Sequence, residues 1–347
     1  MNNNRPYIIA EIGVNYYDTA RAMGITALEA AKLYIDAVAD SGIDCAKFQS
    51  YKADTIVSKN SPAYWDTSKE PTKTQHELFK KHDSFNACDY RILADYAHAK
   101  GIDFTSTPFD YASADYLADM VDFFKISSSD LTNLPFIRHI ARKKKPVYMS
   151  VGASYLFEID QALRVLEEEN CPEIVIFHCV LSYPTAFENA NLRVIETLKR
   201  IYPEIKIGYS DHVLPDESMS TLLTARLLGA EVIEKHFTLD KTLPGNDHYH
   251  AGDPSDFKKA ISNFKMVSQI LGSGEKTVLD CEIIPRREAR RSLVTTRPLR
   301  KGEIIQPCDI MPKRPGTGIP PYFEDVVIGR AVRFDIPEDT ILTWDMI

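Results

Sequence analysis

The feature that most constrains this chain is an alternation of short β-rich runs with helix-like segments, repeated eight times over roughly its first 270 residues. The runs are YIIAEIGV from Tyr7, DCAKFQSY from Asp44, IDFTSTPF from Ile102, DFFKISSS from Asp122, PVYMSVG from Pro146, EIVIFHCV from Glu173, IKIGYSDH from Ile205 and EVIEKHFTL from Glu231. Between them, segments such as TALEAAKLYIDAVADSG and LFEIDQALRVLEEEN carry apolar residues at helical spacing. Several helical segments end on glycine just before the next strand (Gly42, Gly101, Gly229), the punctuation of a helix C-terminus. Eight such units predict an α/β fold, a (β/α)8 barrel. An open doubly wound sheet is the competing arrangement, but no glycine-rich fingerprint follows the first strand. The polar stretch from Val57 to Lys81 is expected as an extended loop over one rim.

After Leu271 to Lys276 the pattern changes to short β runs rich in proline. RPLRKGEIIQPCDIMPKR from Arg297 is echoed by FDIPEDTILTWDMI from Phe334: a turn, an apolar pair, then Asp and an apolar residue. Such a tail is too short for a second enzyme core and predicts a small β-rich domain. The expected division is a barrel over 1–280 and a tail domain over 281–347.

Composition narrows the partners. With 41 Lys+Arg against 49 Asp+Glu the net charge is −8, which disfavours nucleic acid and anionic membrane surfaces while leaving room for a local basic pocket. Six scattered cysteines lack any CxxC pair, so neither a metal knuckle nor a disulfide framework is indicated. The apolar run before Glu11 is too short for a signal segment, and no stretch approaches the length of a membrane span, so a cytoplasmic location is expected.

Polar residues gather where the apolar strands end, which on a barrel is the face where sites are built. Glu11 and Asn15 close the first strand, Lys47 and Gln49 the second, Ser106 and Thr107 the third. Lys125 with Ser127, Ser128 and Ser129 close the fourth and Ser150 the fifth. His178 and Tyr183 lie near the sixth; Ser210, Asp211 and His212 follow the seventh; Glu234 and His236 finish the eighth. Two lysines embedded in apolar strands need anionic partners. These are either Glu11 or Glu234, or the phosphate and carboxylate of a substrate that the neighbouring hydroxyls also suit. His212 and His236 sit on adjacent strand exits, either as hydrogen-bonded packing residues or as a pair sharing a divalent metal, with Glu11 as a further ligand or a base. The HYH segment at His248 to His250 reads as a surface loop, a substrate loop or extra metal ligands. The Lys143–Lys145, Glu167–Glu169 and Arg286–Arg291 charge runs read as solvated helix ends and linker ion pairs.

Eight co-linear motifs carry a family resemblance: EIGVN at Glu11, AKFQSYKAD at Ala46, STPFD at Ser106, FKIS at Phe124, GYSDH at Gly208, EKHFTLD at Glu234, PGND at Pro244 and KRPGTG at Lys313. Over nearly its whole length the chain resembles the sialic acid synthases, or more broadly the nonulosonate synthases, which include legionaminate and pseudaminate synthases. The tail resembles that family's antifreeze-like (SAF) domain. The resemblance implies condensation of phosphoenolpyruvate with an N-acylated hexose such as N-acetylmannosamine, with release of phosphate by C–O cleavage. It further implies a divalent metal, Mn2+ or Mg2+, on His212 and His236. Phosphoenolpyruvate would be bound by Lys47, Thr107, Lys125, Ser128, Ser150 and Ser210, and the sugar by Glu11, Tyr183 and Asp247. Arg314 would reach the N-acyl group from the SAF domain of a partner subunit, which implies a domain-swapped homodimer. Glu11 and Asp130 join the histidines as the expected catalytic residues.

The chain departs from the family pattern at several places. Ser127, Ser128, Ser129 and Asp130 stand where many members have Gly-Ser-Gly-Glu, and Asp130 is one methylene shorter than that Glu. Tyr16 and Leu181 replace polar residues, and not every member has the HYH segment. Two other functions fit the same residues: a Schiff-base aldolase using Lys47 or Lys125 as nucleophile, and a non-catalytic glycan- or anion-binding barrel.

Overall fold

The computed structural model describes residues 5–65, 67–68, 70–245 and 247–347. The first four residues of the N-terminal segment and Asn246 of the PGND motif lie outside the described residues. All eight expected strands form: β1 (Tyr7–Gly13), β2 (Cys45–Ser50), β3 (Asp103–Pro108), β4 (Phe124–Ile126), β5 (Val147–Ser150), β6 (Ile174–His178), β7 (Lys206–Asp211) and β8 (Val232–His236). Every pairing is parallel, in the order β3-β2-β1-β8-β7-β6-β5-β4. The seam between β3 and β4 is bridged by Asp122 N donating to Phe104 O at 3.0 Å and Thr105 Oγ1 to Phe123 O at 2.5 Å. The sheet is thus a nearly closed barrel with helices in the connections, as the alternation predicted.

Local chemistry explains where helices start and stop. The helix Ala27–Asp40 begins at Thr26, whose hydroxyl accepts from Glu29 N while the Glu29 carboxylate accepts from Thr26 N. Its residues Ala30, Ala31, Tyr34, Ile35 and Val38 form one buried stripe. Gly42, at φ 74°, then turns the chain into β2 in a left-handed conformation that a side chain would strain. The segment expected as a continuous rim loop instead contains a bridge between Pro62 and Thr74 and a helix, Gln75–Lys80, capped by Thr74. No helix among the described residues is long and apolar enough to cross a membrane.

The chain divides into two compact units, Met1–Gly272 and Ser273–Ile347. The second has its own core of ten buried aliphatic residues, among them Leu293, Leu299, Ile305, Ile310, Ile336, Leu342 and Ile347. Strands β9 (Ser292–Thr295) and β10 (Ile310–Lys313) pair antiparallel. The sequence echo is structural: short 3-10 turns form at Pro307–Asp309 and again at Trp344–Met346. Each is preceded by a buried aliphatic (Ile305, Leu342) and followed by another (Ile310, Ile347). Leu299 and Ile336, equivalent in the two halves, exchange backbone hydrogen bonds at 2.8 Å in both directions.

Candidate active site

Side chains alternate across a strand, so every second residue of each barrel strand points to the interior. The lowest interior layer is apolar, a plug of Ile9, Cys45, Phe123, Val175, Phe177 and Val232. One step toward the strands' C-terminal ends the interior becomes polar, and that step brings Glu11, Lys47, Lys125, Ser150, Ser210 and Glu234 together.

These residues form an alternating chain of charge. Lys47 Nζ lies 2.5 Å from Glu11 Oε2 and 3.7 Å from Glu234 Oε2, and Lys125 Nζ lies 3.5 Å from Glu234 Oε1. Hydroxyls complete it: Lys47 donates to Thr107 Oγ1 at 3.2 Å, Lys125 to Ser150 Oγ at 2.6 Å, and Ser210 to Glu234 Oε1 at 3.0 Å. Gln49 donates to Glu11 Oε1 at 2.7 Å. All four charged residues are buried, so burial acts on each. It pushes the Glu11 carboxyl above its ordinary range, against the pull of Lys47. It pushes Glu234 the same way, but Lys125 and Lys47 together outweigh it and hold that carboxyl low. Burial depresses Lys47, yet Glu11 and Glu234 more than restore it. Lys125 remains below the ordinary lysine value, because burial and the nearby Lys47 charge exceed the help from Glu234. Glu11 is therefore the carboxyl most ready to hold a proton, and Lys125 the ammonium most in need of an anion.

His212 and His236 lie at the next level of the interior, with ring centroids 5.6 Å apart. His212 Nδ1 lies 2.7 Å from Val180 O; a carbonyl only accepts, so Nδ1 carries the proton and Nε2 keeps its lone pair. Burial lowers His212 to about 4 and pushes His236 well below its ordinary value, so both rings are neutral at pH 7 and fit a divalent cation. The Nδ1 of His236 is buried without a hydrogen bond to any described residue, 3.8 Å from Asp247 Oδ2. Tyr183 covers this pair, its ring centroid 4.2 Å from His212 and 6.0 Å from His236. Among the described residues no three His, Cys, Asp or Glu side chains are already set to hold one metal ion.

The other expected residues make separate contacts. Ser128 Oγ accepts from Gly152 N at 3.0 Å and touches Cys179 Sγ at 3.1 Å. Asp130, in the 3-10 turn Ser128–Asp130, accepts a long 3.4 Å bond from Asn133, and burial raises its carboxyl. Ser106 points away from the interior and bonds Ser50 at 2.6 Å. Arg314 is exposed in the second unit, directly after β10.

The surface-loop reading of HYH is overturned, because His248 and His250 are both fully buried. His248 is fixed by Thr238 at 2.8 Å and Asp18 at 3.3 Å. His250 instead faces His236, ring centroids 4.9 Å apart. Sequence reasoning treated Glu234 only as a salt-bridge partner, whereas it touches both lysines. Its place two residues before His236 on one strand was the available signal, since that spacing puts both on one face.

Comparison with known proteins gives a consistent pattern. The NeuB family model matches residues 34–276 and the SAF domain model residues 290–347. N,N'-diacetyllegionaminic acid synthase of Legionella pneumophila is 36% identical over 348 residues, covering 98% of this chain and 94% of that protein. N-acetylneuraminate-9-phosphate synthase of Homo sapiens is 31% identical over 346 residues, covering 98% and 92%. The crystal structure of N-acetylneuraminic acid synthetase from Leptospira borgpetersenii, in complex with citrate, aligns with a TM-score of 0.69 at 31% identity, over 82% of this chain and 93% of that one.

Proposed function

The chain belongs to the NeuB family, and from that membership we propose that it condenses phosphoenolpyruvate with an N-acylated hexose to give a nonulosonic acid and phosphate. The observation that carries this reading is the buried Glu11–Lys47–Glu234–Lys125 chain, directly beneath His212 and His236. Two ammonium groups desolvated inside a barrel mouth are costly even when paired, and an anionic substrate would give them a use. In the reaction, C3 of phosphoenolpyruvate bonds to the sugar's aldehyde carbon, water adds at C2, and the C2–O bond to phosphate breaks.

Lys47 and Lys125, with Thr107, Ser128, Ser150 and Ser210, bind the phosphate and carboxylate of phosphoenolpyruvate. The resting quartet is formally balanced, two carboxylates against two ammoniums. An entering anion must therefore displace a carboxylate from lysine or coincide with protonation of one. Glu11, raised by burial, takes that proton and holds it beside the reacting aldehyde oxygen. Asp130 stands where the family's acid–base Glu would be, with a raised carboxyl suited to proton transfer. Tyr183 and Asp247 line the acceptor side, and Arg314 of one subunit serves the barrel of the other in a homodimer. His212 and His236 would hold a divalent cation, Mn2+ or Mg2+, which when bound polarises the acceptor carbonyl. The reaction is placed in the cytoplasm.

The test is product analysis by mass spectrometry from phosphoenolpyruvate, Mn2+ and a panel of N-acylated hexoses. A nine-carbon 2-keto-3-deoxy acid with stoichiometric phosphate is expected, and no phosphate release with any sugar would refute the proposal. The depressed Lys125 also suits a Schiff-base aldolase. Borohydride trapping of pyruvate on that lysine would favour the aldolase instead.

A further inference from the structure

His250 is a buried residue of this centre that the proposed chemistry does not use. Its side chain is fully buried, and among the described residues neither ring nitrogen has a hydrogen-bond partner. The nearest charged group is Asp247, with Oδ1 3.6 Å from Nε2, beyond bonding range. The ring lies 4.9 Å from His236 and 5.7 Å from Tyr183, centroid to centroid. An imidazole deprived of water at both nitrogens carries a desolvation cost that a bonding partner would remove.

The loop that carries it is held firmly. Gly252 N donates to His236 O at 2.8 Å and Thr238 N to Gly252 O at 3.0 Å, so the chain at Gly252 is tied back to the end of β8. His248, anchored to Thr238 and Asp18, fixes the middle of the loop. Two residues later His250 is delivered against His236.

We propose that His250 is a third protein ligand to the divalent cation held by His212 and His236. This rests on the metal-binding reading of those two histidines. Imidazoles on adjacent positions of one ion, at a metal–nitrogen distance of about 2.2 Å, have centroids roughly 4.7 Å apart in the octahedral arrangement that Mn2+ and Mg2+ favour and about 5.5 Å apart in a tetrahedral one. The observed spacings, 5.6 Å for His212–His236 and 4.9 Å for His236–His250, lie close to that range, the first slightly wide of it. The rings are not yet set at coordination geometry. Rotation of His250 away from Asp247 completes the site, and Asp247 is then placed to bond the outer nitrogen of a ligating ring, as carboxylates beside metal-bound histidines do.

The test is Mn2+ binding by the full-length protein, followed by the free Mn2+ paramagnetic resonance signal, together with a count of coordinated imidazole nitrogens by electron spin echo modulation. Three nitrogens are expected in the unaltered protein and two in His250→Phe, whose dissociation constant should rise on the order of tenfold or more. Two nitrogens in the unaltered protein, with unchanged Mn2+ affinity in His250→Phe, would overturn the proposal while leaving the two-histidine site standing. Failure of the unaltered protein to retain Mn2+, matched by His236→Ala, would overturn the underlying metal reading as well. Should His250→Phe not fold by circular dichroism, the nitrogen count in the unaltered protein decides the matter alone.

Discussion

Lys235 Nζ lies 2.6 Å from Asp211 Oδ2 on the outer face of the barrel wall, and each residue is the chain neighbour of a histidine that points inward. Lys235 is wholly buried and also donates to Val213 O at 2.7 Å, while Asp211 accepts from Tyr209 OH at 2.8 Å. The pair clamps the ends of β7 and β8 together, behind His212 and His236. Removing one partner strands the other charge in the wall. Asp211→Asn should therefore lower stability by about 3–5 kcal/mol in urea unfolding. The double variant Asp211→Leu/Lys235→Met should recover most of that loss; no recovery would show that the clamp is not the cause.

Lys125 is the ammonium held least well by its surroundings, so its replacement should be felt by the anionic substrate. Lys125→Met is expected to reduce kcat/KM for phosphoenolpyruvate about 100-fold or more. Steady-state kinetics with each substrate varied in turn checks this, and a defect confined to the sugar KM would contradict the assignment.

Gly152 leaves the space in which Ser128 sits. A Cβ there would lie 2.8 Å from Cys179 Sγ, closer than real carbon contacts allow, and 3.0 Å from Ser128 Oγ, tighter than most. Gly152→Ala should cost about 1–3 kcal/mol of stability and raise the KM for phosphoenolpyruvate by displacing Ser128. An unchanged KM would place Ser128 outside the phosphate site.

Arg314 is exposed on the second unit and is expected to act only in an assembled dimer. Arg314→Ala should raise the acceptor-sugar KM and leave the phosphoenolpyruvate KM and the sedimentation coefficient unchanged. Equal losses for both substrates would refute its role at the N-acyl group.

His82 gives a pH dependence unrelated to the reaction. Burial lowers its value to about 4 from the ordinary 6.5, so between those values the unfolded chain binds the extra proton. Its contribution is intact above pH 6.5 and is lost as the pH falls through about 4. That amounts to about 3 kcal/mol at most. His82→Gln should flatten the fall in melting temperature between pH 6.5 and 4, and an unaltered slope would assign the effect to other groups.

The fold was legible because it depends on a local property. Alternation of apolar and polar residues fixes which side chains of a strand share a face. Lys47 with Gln49, and Glu234 with His236, could be placed on the interior before any contact was known. The glycine stops and the repeat in the tail are equally local. The Val57–Lys81 segment was harder, because its polar composition hides a helix of only six residues.

Contacts between strands are another matter. The sequence by itself determined that two lysines, two glutamates and two histidines would ring one mouth. Only the tertiary structure decided that Lys47 pairs closely with Glu11 while Lys125 is left to Glu234 at 3.5 Å. Only closure of the sheet and the return of the loop at Gly252 brought His250 against His236. The physical reason is that periodicity along a strand is set by the covalent backbone, whereas the distance across the barrel is set by the packing of eight strands at once.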